Sequence, residues 1–263
     1  MTDFIRYPGR LVLRLLEYLG GLGMLGREVV ISIFAGKRFP RLLGEQLVSI
    51  GYGSQAVIIV TGAFTGAVFA AQSFFQFQKY GVESTVGALV SVAMARELGP
   101  VLTGLMVAGR VGASMAAEIG TMKVTEQIDA LRSMAVHPVD YLVVPRLAAM
   151  MISMPLLIAE SITFGILASY VMAVHAFRIE PTWFLTHLRA HTDFSDIFIG
   201  MTKGFFFGVI ITLISCWQGL NARNGAVGVG QGTTSAVVES SLLILIVNFF
   251  LTMLLNQFYP LGV

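Results

Sequence analysis

QLVSIGYGSQAVIIVTGAFTGAVFAAQSFFQFQ, residues 46–78, runs from Glu45 to Lys79 without one formally charged side chain. A helix crosses ~30 Å of hydrocarbon with ~20 mostly apolar residues, so this stretch is long enough to span a bilayer. Within hydrocarbon the backbone has no water to bond, which leaves a helix or a closed barrel. A barrel strand alternates lipid-facing and lumen-facing residues over ~10-residue segments, and this run does not alternate. The stretch reads as a transmembrane helix.

The rest of the chain follows the same pattern. Residues 204–222 and 240–263 are free of charge, while 84–109 carry Arg96 and Glu97 and 147–177 carry Glu160. Five membrane helices are predicted, at about 47–77, 84–112, 145–174, 200–219 and 237–258, so the fold class is an all-α integral membrane protein. Composition agrees. Of 263 residues, 56% are hydrophobic and 12% charged, against roughly 25% charged in a soluble domain, and mean hydropathy is +0.79. A formal charge of +2 gives no large positive field, which speaks against a nucleic-acid binder. Cys216 is the one cysteine, so no internal disulfide forms.

Basic residues orient the chain. With the N-terminus in the cytoplasm, Arg6, Arg10, Arg14, Arg27, Lys37, Arg38, Arg41, Arg110, Lys123, Arg132, Arg146 and Arg223 lie inside, against Lys79, Arg178, Arg189 and Lys203 outside. Twelve against four satisfies the positive-inside rule, and an odd number of spans puts the C-terminus outside. Residues 1–45 lack the clean apolar core of a cleavable signal. Leu11, Leu15, Tyr18, Leu19 and Leu22 recur there at helical spacing. That pattern fits an amphipathic helix in the cytoplasmic interface, or equally a first helix packed on its own protein. The domain division is therefore 1–45 and a single five-helix membrane bundle over 46–263.

Charges at the middle of a span are costly and mark function by default. Arg96-Glu97-Leu98-Gly99-Pro100 is such a site. Neighbours in a helix do not face one another, so Arg96 and Glu97 are expected to find partners on other helices or face a polar cavity. Pro100 removes the hydrogen bond that would reach the carbonyl of residue 96. Two readings follow: a polar wall for a headgroup built on Arg96, Glu97, Gly99 and Pro100, or an interhelical ion pair that fixes packing. Gly62-x-x-x-Gly66, Gly200-x-x-x-Gly204 and Gly204-x-x-x-Gly208 indicate close helix approach.

Between the second and third spans, Thr125 reads as the N-cap of a short helix, about 124–136, whose first turn carries Glu126 and Asp129. Ile128 and Leu131 share one face, and His137-Pro138 ends the element. An exposed amphipathic helix here suits docking to a cytoplasmic partner; its bland alternative is a helix packed under the bundle. No Gly-x-x-x-x-Gly-Lys-Ser/Thr loop is present, so ATP hydrolysis by that route is absent from this chain. His187-x-x-x-His191 is half a metal site with no evident third ligand.

In this order, Arg96-Glu-Leu-Gly-Pro100, Ala108-Gly-Arg-Val-Gly112, Ala117-Glu-Ile-Gly120, Thr125-Glu-Gln-Ile-Asp-Ala-Leu131 and Val144-Pro-Arg146 resemble the MlaE (YrbE) permease family. The resemblance implies a non-enzymatic permease subunit of an ABC transporter in a bacterial inner membrane, moving phospholipid between inner and outer membranes and maintaining outer-membrane lipid asymmetry. It implies a homodimer with two cytoplasmic ATPases holding ATP and Mg, a STAS-type accessory subunit, and a periplasmic hexameric MCE-domain protein. Glu126, Gln127, Ile128, Asp129, Ala130 and Leu131 correspond to the coupling helix, and Arg96 and Glu97 to a charged pair near the lipid cavity. Rival classes are an ion-coupled secondary transporter using Glu97 or Glu160, disfavoured by the lack of an inverted repeat, and an intramembrane enzyme.

Overall fold

The computed structural model describes residues 2–34 and 40–258. Eight helices follow in order: α1 (Thr2–Phe34), α2 (Arg41–Gln78), α3 (Glu83–Val124), α4 (Gln127–Ser133), α5 (Val139–Ala176), α6 (Pro181–His191), α7 (Phe194–Leu220) and α8 (Gly225–Phe258). Among the described residues there is no strand. Five helices, α2, α3, α5, α7 and α8, are long and apolar enough to cross a membrane, at the five places predicted. They extend beyond the apolar runs. α3 has 42 residues, roughly 60 Å at 1.5 Å per residue and about twice the hydrocarbon thickness. Its extra turns reduce the predicted 110–146 segment to a connection around α4.

Close approach builds the bundle. A Cβ placed on Gly66 would lie 2.0 Å from the carbonyl oxygen of Gly165, and one on Gly62 would lie 2.6 Å from that of Ser161. The α2 and α5 backbones therefore touch along a small-residue stripe, which allows full dispersion contact where hydrophobic exclusion of water is absent. The predicted glycine stripes thus pack helices within one chain. The central core joins Ile58, Met150, Met154, Ile158, Phe207, Ile211 and Ile244 from α2, α5, α7 and α8. Phe207 is core, whereas Phe75, Phe205 and Phe206 face outward.

α1 packs one face on the bundle. Leu25 and Val29 are buried with Val143 and Cys216, and Tyr18 meets Trp217 edge-on at 6.4 Å. The Tyr18 hydroxyl donates to Glu239, which also accepts from Gln218 Nε2 at 2.7 Å. Burial first, and Glu239 second, hold the Tyr18 phenol well above the usual tyrosine range, so it remains a donor at any physiological pH. On other faces Leu13, Leu16, Leu19 and Met24 are exposed. α1 is thus packed on its own protein along one face. The side chains of Leu11 and Leu15 lie outside the described residues.

Three expectations are corrected. Thr125 does not cap α4: its hydroxyl donates to the Thr121 carbonyl at 2.8 Å and closes the end of α3. The N-cap is Glu126, held in the left-handed region at φ 62° without a side-chain cap bond, so the helix is Gln127–Ser133 rather than 124–136. Lys203, expected outside the membrane, is fully buried within α7.

Candidate functional site

The lost backbone bond at Pro100 organises the middle of α3. Met94–Leu98 forms a π turn, in which the Gly99 N–H reaches the Met94 carbonyl five residues back. The Arg96 carbonyl, which would take its α-helical bond from the N–H that Pro100 lacks, accepts Lys203 Nζ of α7 at 2.7 Å. The helices come close enough for this because Gly200, one turn before Lys203, sits against α3. A Cβ there would lie 2.4 Å from the Ala95 carbonyl oxygen.

Around that contact four charges and three neutral polar groups interlock. Arg96 Nε pairs with Asp196 Oδ1 of α7 at 2.5 Å, with both side chains almost wholly buried. Its Nη1 donates to Asn256 Oδ1 of α8 at 2.9 Å. Lys203 Nζ pairs with Glu97 Oε1 at 2.8 Å and donates to Thr252 Oγ1 at 2.8 Å. The Glu97 carboxylate also accepts from Thr252 Oγ1 and Asn248 Nδ2, each at 2.9 Å. Asp196 is anchored twice over, because its other oxygen accepts the Asp193 N–H at 2.9 Å in a capping box that starts α7.

The cluster is neutral in sum, two cations against two carboxylates, which is how charge persists in a low-dielectric interior. Arg96 and Glu97 do not pair with each other; each finds its partner on α7, as adjacent helical positions require. Gly99 and Pro100 are buried beside them. Glu97 is the one charged member open to the outside, with 39% of its side chain exposed. Asn248, Thr252 and Asn256 lie at i, i+4 and i+8, so a single polar stripe on α8 closes the cluster. Charge gaps alone do not point to these three, being uncharged, nor to Asp196, which lies before the predicted start of the span at 200, nor to Lys203, which counts among the outside cations. Helical spacing of amides and hydroxyls within an apolar run is the signal that finds them.

α4 presents a different face from the expected one. Ile128 is buried and Leu131 packs on the same core cluster of the bundle. Glu126, Gln127, Asp129 and Ala130 are exposed, and Asp129 bridges Lys123 and Arg132 at 3.4 and 3.3 Å. Another ion pair fixes the helix ends nearby: Arg146 Nη2 of α5 contacts Glu118 Oε1 of α3 at 2.8 Å. Among the described residues no group of three His, Cys, Asp or Glu could hold a metal. His187 and His191 simply stack along α6.

Fold and site together define a polytopic α-helical membrane protein with a paired charge cluster at the heart of its bundle. Residues 43–254 match the family model described as Permease MlaE. A probable ABC transporter permease protein of Rickettsia typhi is 41% identical over 97% of this chain and 98% of its own length. One from Synechocystis is 43% identical over 88% of each. The Arabidopsis thaliana protein trigalactosyldiacylglycerol 1, chloroplastic, is 37% identical over 87% of this chain and 65% of its own length. The chain belongs to the MlaE family of ABC transporter permeases.

Proposed function

We propose that this chain is the membrane subunit of a phospholipid transporter, a homodimer driven by two separate cytoplasmic ATPases. In this reading the N-terminus is cytoplasmic, and lipid passes between inner and outer membranes through a periplasmic MCE-domain partner, with a STAS-type subunit on the ATPase side. The observation that carries it is the cluster itself: Glu97 opens from an otherwise sealed, net-neutral set of charges inside a bundle with broad apolar outer faces. Such a place suits a molecule with a polar head and long apolar chains better than a sugar or a free ion. The lipid named by the Arabidopsis relative supports the same substrate class. Counting only cations outside the five membrane helices leaves Arg6, Arg10, Arg14, Arg27, Lys37, Arg38, Arg132 and Arg223 inside against Lys79, Arg178 and Arg189 outside, which supports the same orientation.

Native mass spectrometry of the tagged chain, extracted gently from its membrane, tests the assembly. The expected species holds two copies of the chain, two ATPase subunits and bound phospholipid. A chain that appears with neither ATPase nor lipid overturns the reading.

α4 is assigned here as the coupling helix, with its exposed polar side as the docking face. Leu131 faces the bundle, so a charge there would disturb folding and docking together. Ala130→Arg, on the exposed side, separates them. It is expected to abolish ATPase co-purification while leaving the elution volume and melting temperature of the permease unchanged. Retention of the ATPase would remove α4 from the interface.

A further inference from the structure

Arg110 lies roughly 20 Å along α3 from Arg96, taking fourteen residues at 1.5 Å each, and it takes no part in the charge cluster. It sits in a second π turn, Ala108–Gly112, and faces a third, Val48–Tyr52 of α2. π turns concentrate at functional sites. Between the two lies a cavity of about 200 Å³ lined by Gln46, Ser49, Ile50, Arg110, Ser114 and Glu118 among others. At ~30 Å³ per water, it has room for a small oxyanion with its nearest waters.

The charges there do not balance. Glu118 is already engaged by Arg146. Arg110 donates through Nη1 to the Ser54 hydroxyl at 2.7 Å, a neutral partner, and forms no ion pair among the described residues. Two cations therefore share one carboxylate, and the guanidinium is the unbalanced member. It is also held in place: a Cβ on Gly53 would come within 2.8 Å of Arg110 Nη2, so the fork lies flat on a residue with no side chain. A guanidinium carries five donors in a fixed plane suited to phosphate oxygens.

We propose that this cavity is a phosphate-binding site with Arg110 as its cationic ligand, at the level of the membrane interface nearest α4. The source of the phosphate is a glycerophospholipid headgroup or free inorganic phosphate. The lipid form rests on the phospholipid reading above; the phosphate chemistry does not.

Phenylglyoxal modification of arginine, mapped by peptide mass, tests this on the full chain, purified and delipidated in detergent. Exposed Arg223 is the internal control. Phosphatidylglycerol in mixed micelles is expected to slow Arg110 modification on the order of tenfold, the effect of one charge-assisted hydrogen bond, and diacylglycerol of the same chains should not. Protection by millimolar inorganic phosphate, without protection by the lipid, assigns the site to the free anion. Equal protection by diacylglycerol, no protection by either phosphate source, or an Arg110 that never reacts would each overturn the proposal. Ser114→Leu fills the cavity from its exposed rim and is expected to abolish protection; undiminished protection in that variant also overturns it. The assay needs neither ATPase nor transport, so its failure is distinct from failure of the transporter reading.

Discussion

Arg96→Met is expected to lower the unfolding free energy by about 3–5 kcal/mol, the usual cost of leaving one charge of a buried pair without its partner. Asp196 is the charge left behind. Only 3% of its side chain is exposed, and its capping bond to the Asp193 N–H ties it to the start of α7, so it cannot swing out to water without unravelling that turn. Lys203→Met acts in the same direction, because Glu97 Oε1 and the Arg96 carbonyl both lose the ammonium they accept. The double variant Lys203→Met/Glu97→Leu removes both charges of one pair and is expected to recover to within about 1 kcal/mol of the parent, since an apolar pair in place of a buried ion pair is often neutral. Melting in detergent reads all three. Arg96→Met melting like the parent would show that the cluster does not hold the bundle together. Lipid movement by the double variant then assigns its role: stable but inactive protein places the charges in transport, and stable, active protein leaves them as packing pins.

Gly66→Leu is expected to abolish folded protein. Even the first carbon of a side chain there would lie 2.0 Å from the Gly165 carbonyl oxygen, and that obstacle is backbone, which has no rotamer to give. The smaller change Gly66→Ala poses a question of sign. Alanine favours a helix by about 1 kcal/mol over glycine, whereas overpacking costs typically 1–3 kcal/mol. Contact with backbone along the α2–α5 stripe makes the second effect win. Gly66→Ala should therefore melt lower than the parent, while Gly26→Ala, at a helical glycine with nothing within 4 Å, should not. Equal melting of both alanine variants would mean that α2 and α5 can separate freely.

Much of this was legible from residues alone. Apolar runs with few or no charges located all five spans, and the cost of buried charge left Arg96 and Glu97 either partners on other helices or a polar cavity to face. The partners themselves were hidden for two reasons. Asp196 precedes the predicted start of the span at 200 and Lys203 stands at the edge of its apolar run, where a charge counts as outside; their ion pairs with Arg96 and Glu97 show that α7 carries both into the bundle. Asn248, Thr252 and Asn256 carry no charge to attract notice. The ends of α4 were illegible for a different reason. Its start is set by a left-handed Glu126, a conformation that non-glycine residues seldom adopt and that no local pattern announces.

α3 takes its two π turns, at 94–98 and 108–112, at the charge cluster and at the cavity lined by Arg110. Each turn absorbs one residue beyond what an α-helix of equal rise accommodates. The side chains that follow are thereby rotated by about 100°, the angle of one residue at 3.6 per turn. Arg96 faces α7 and α8, while Arg110 faces α2, and the angle between them is written in residue count rather than in residue identity. Loss of a single residue from 94–98 can be absorbed by relaxing that π turn to an α turn, whereas a second loss, with no surplus residue left there, would turn every side chain downstream toward the wrong neighbour. Length along this helix is therefore a property under as tight a constraint as its charges.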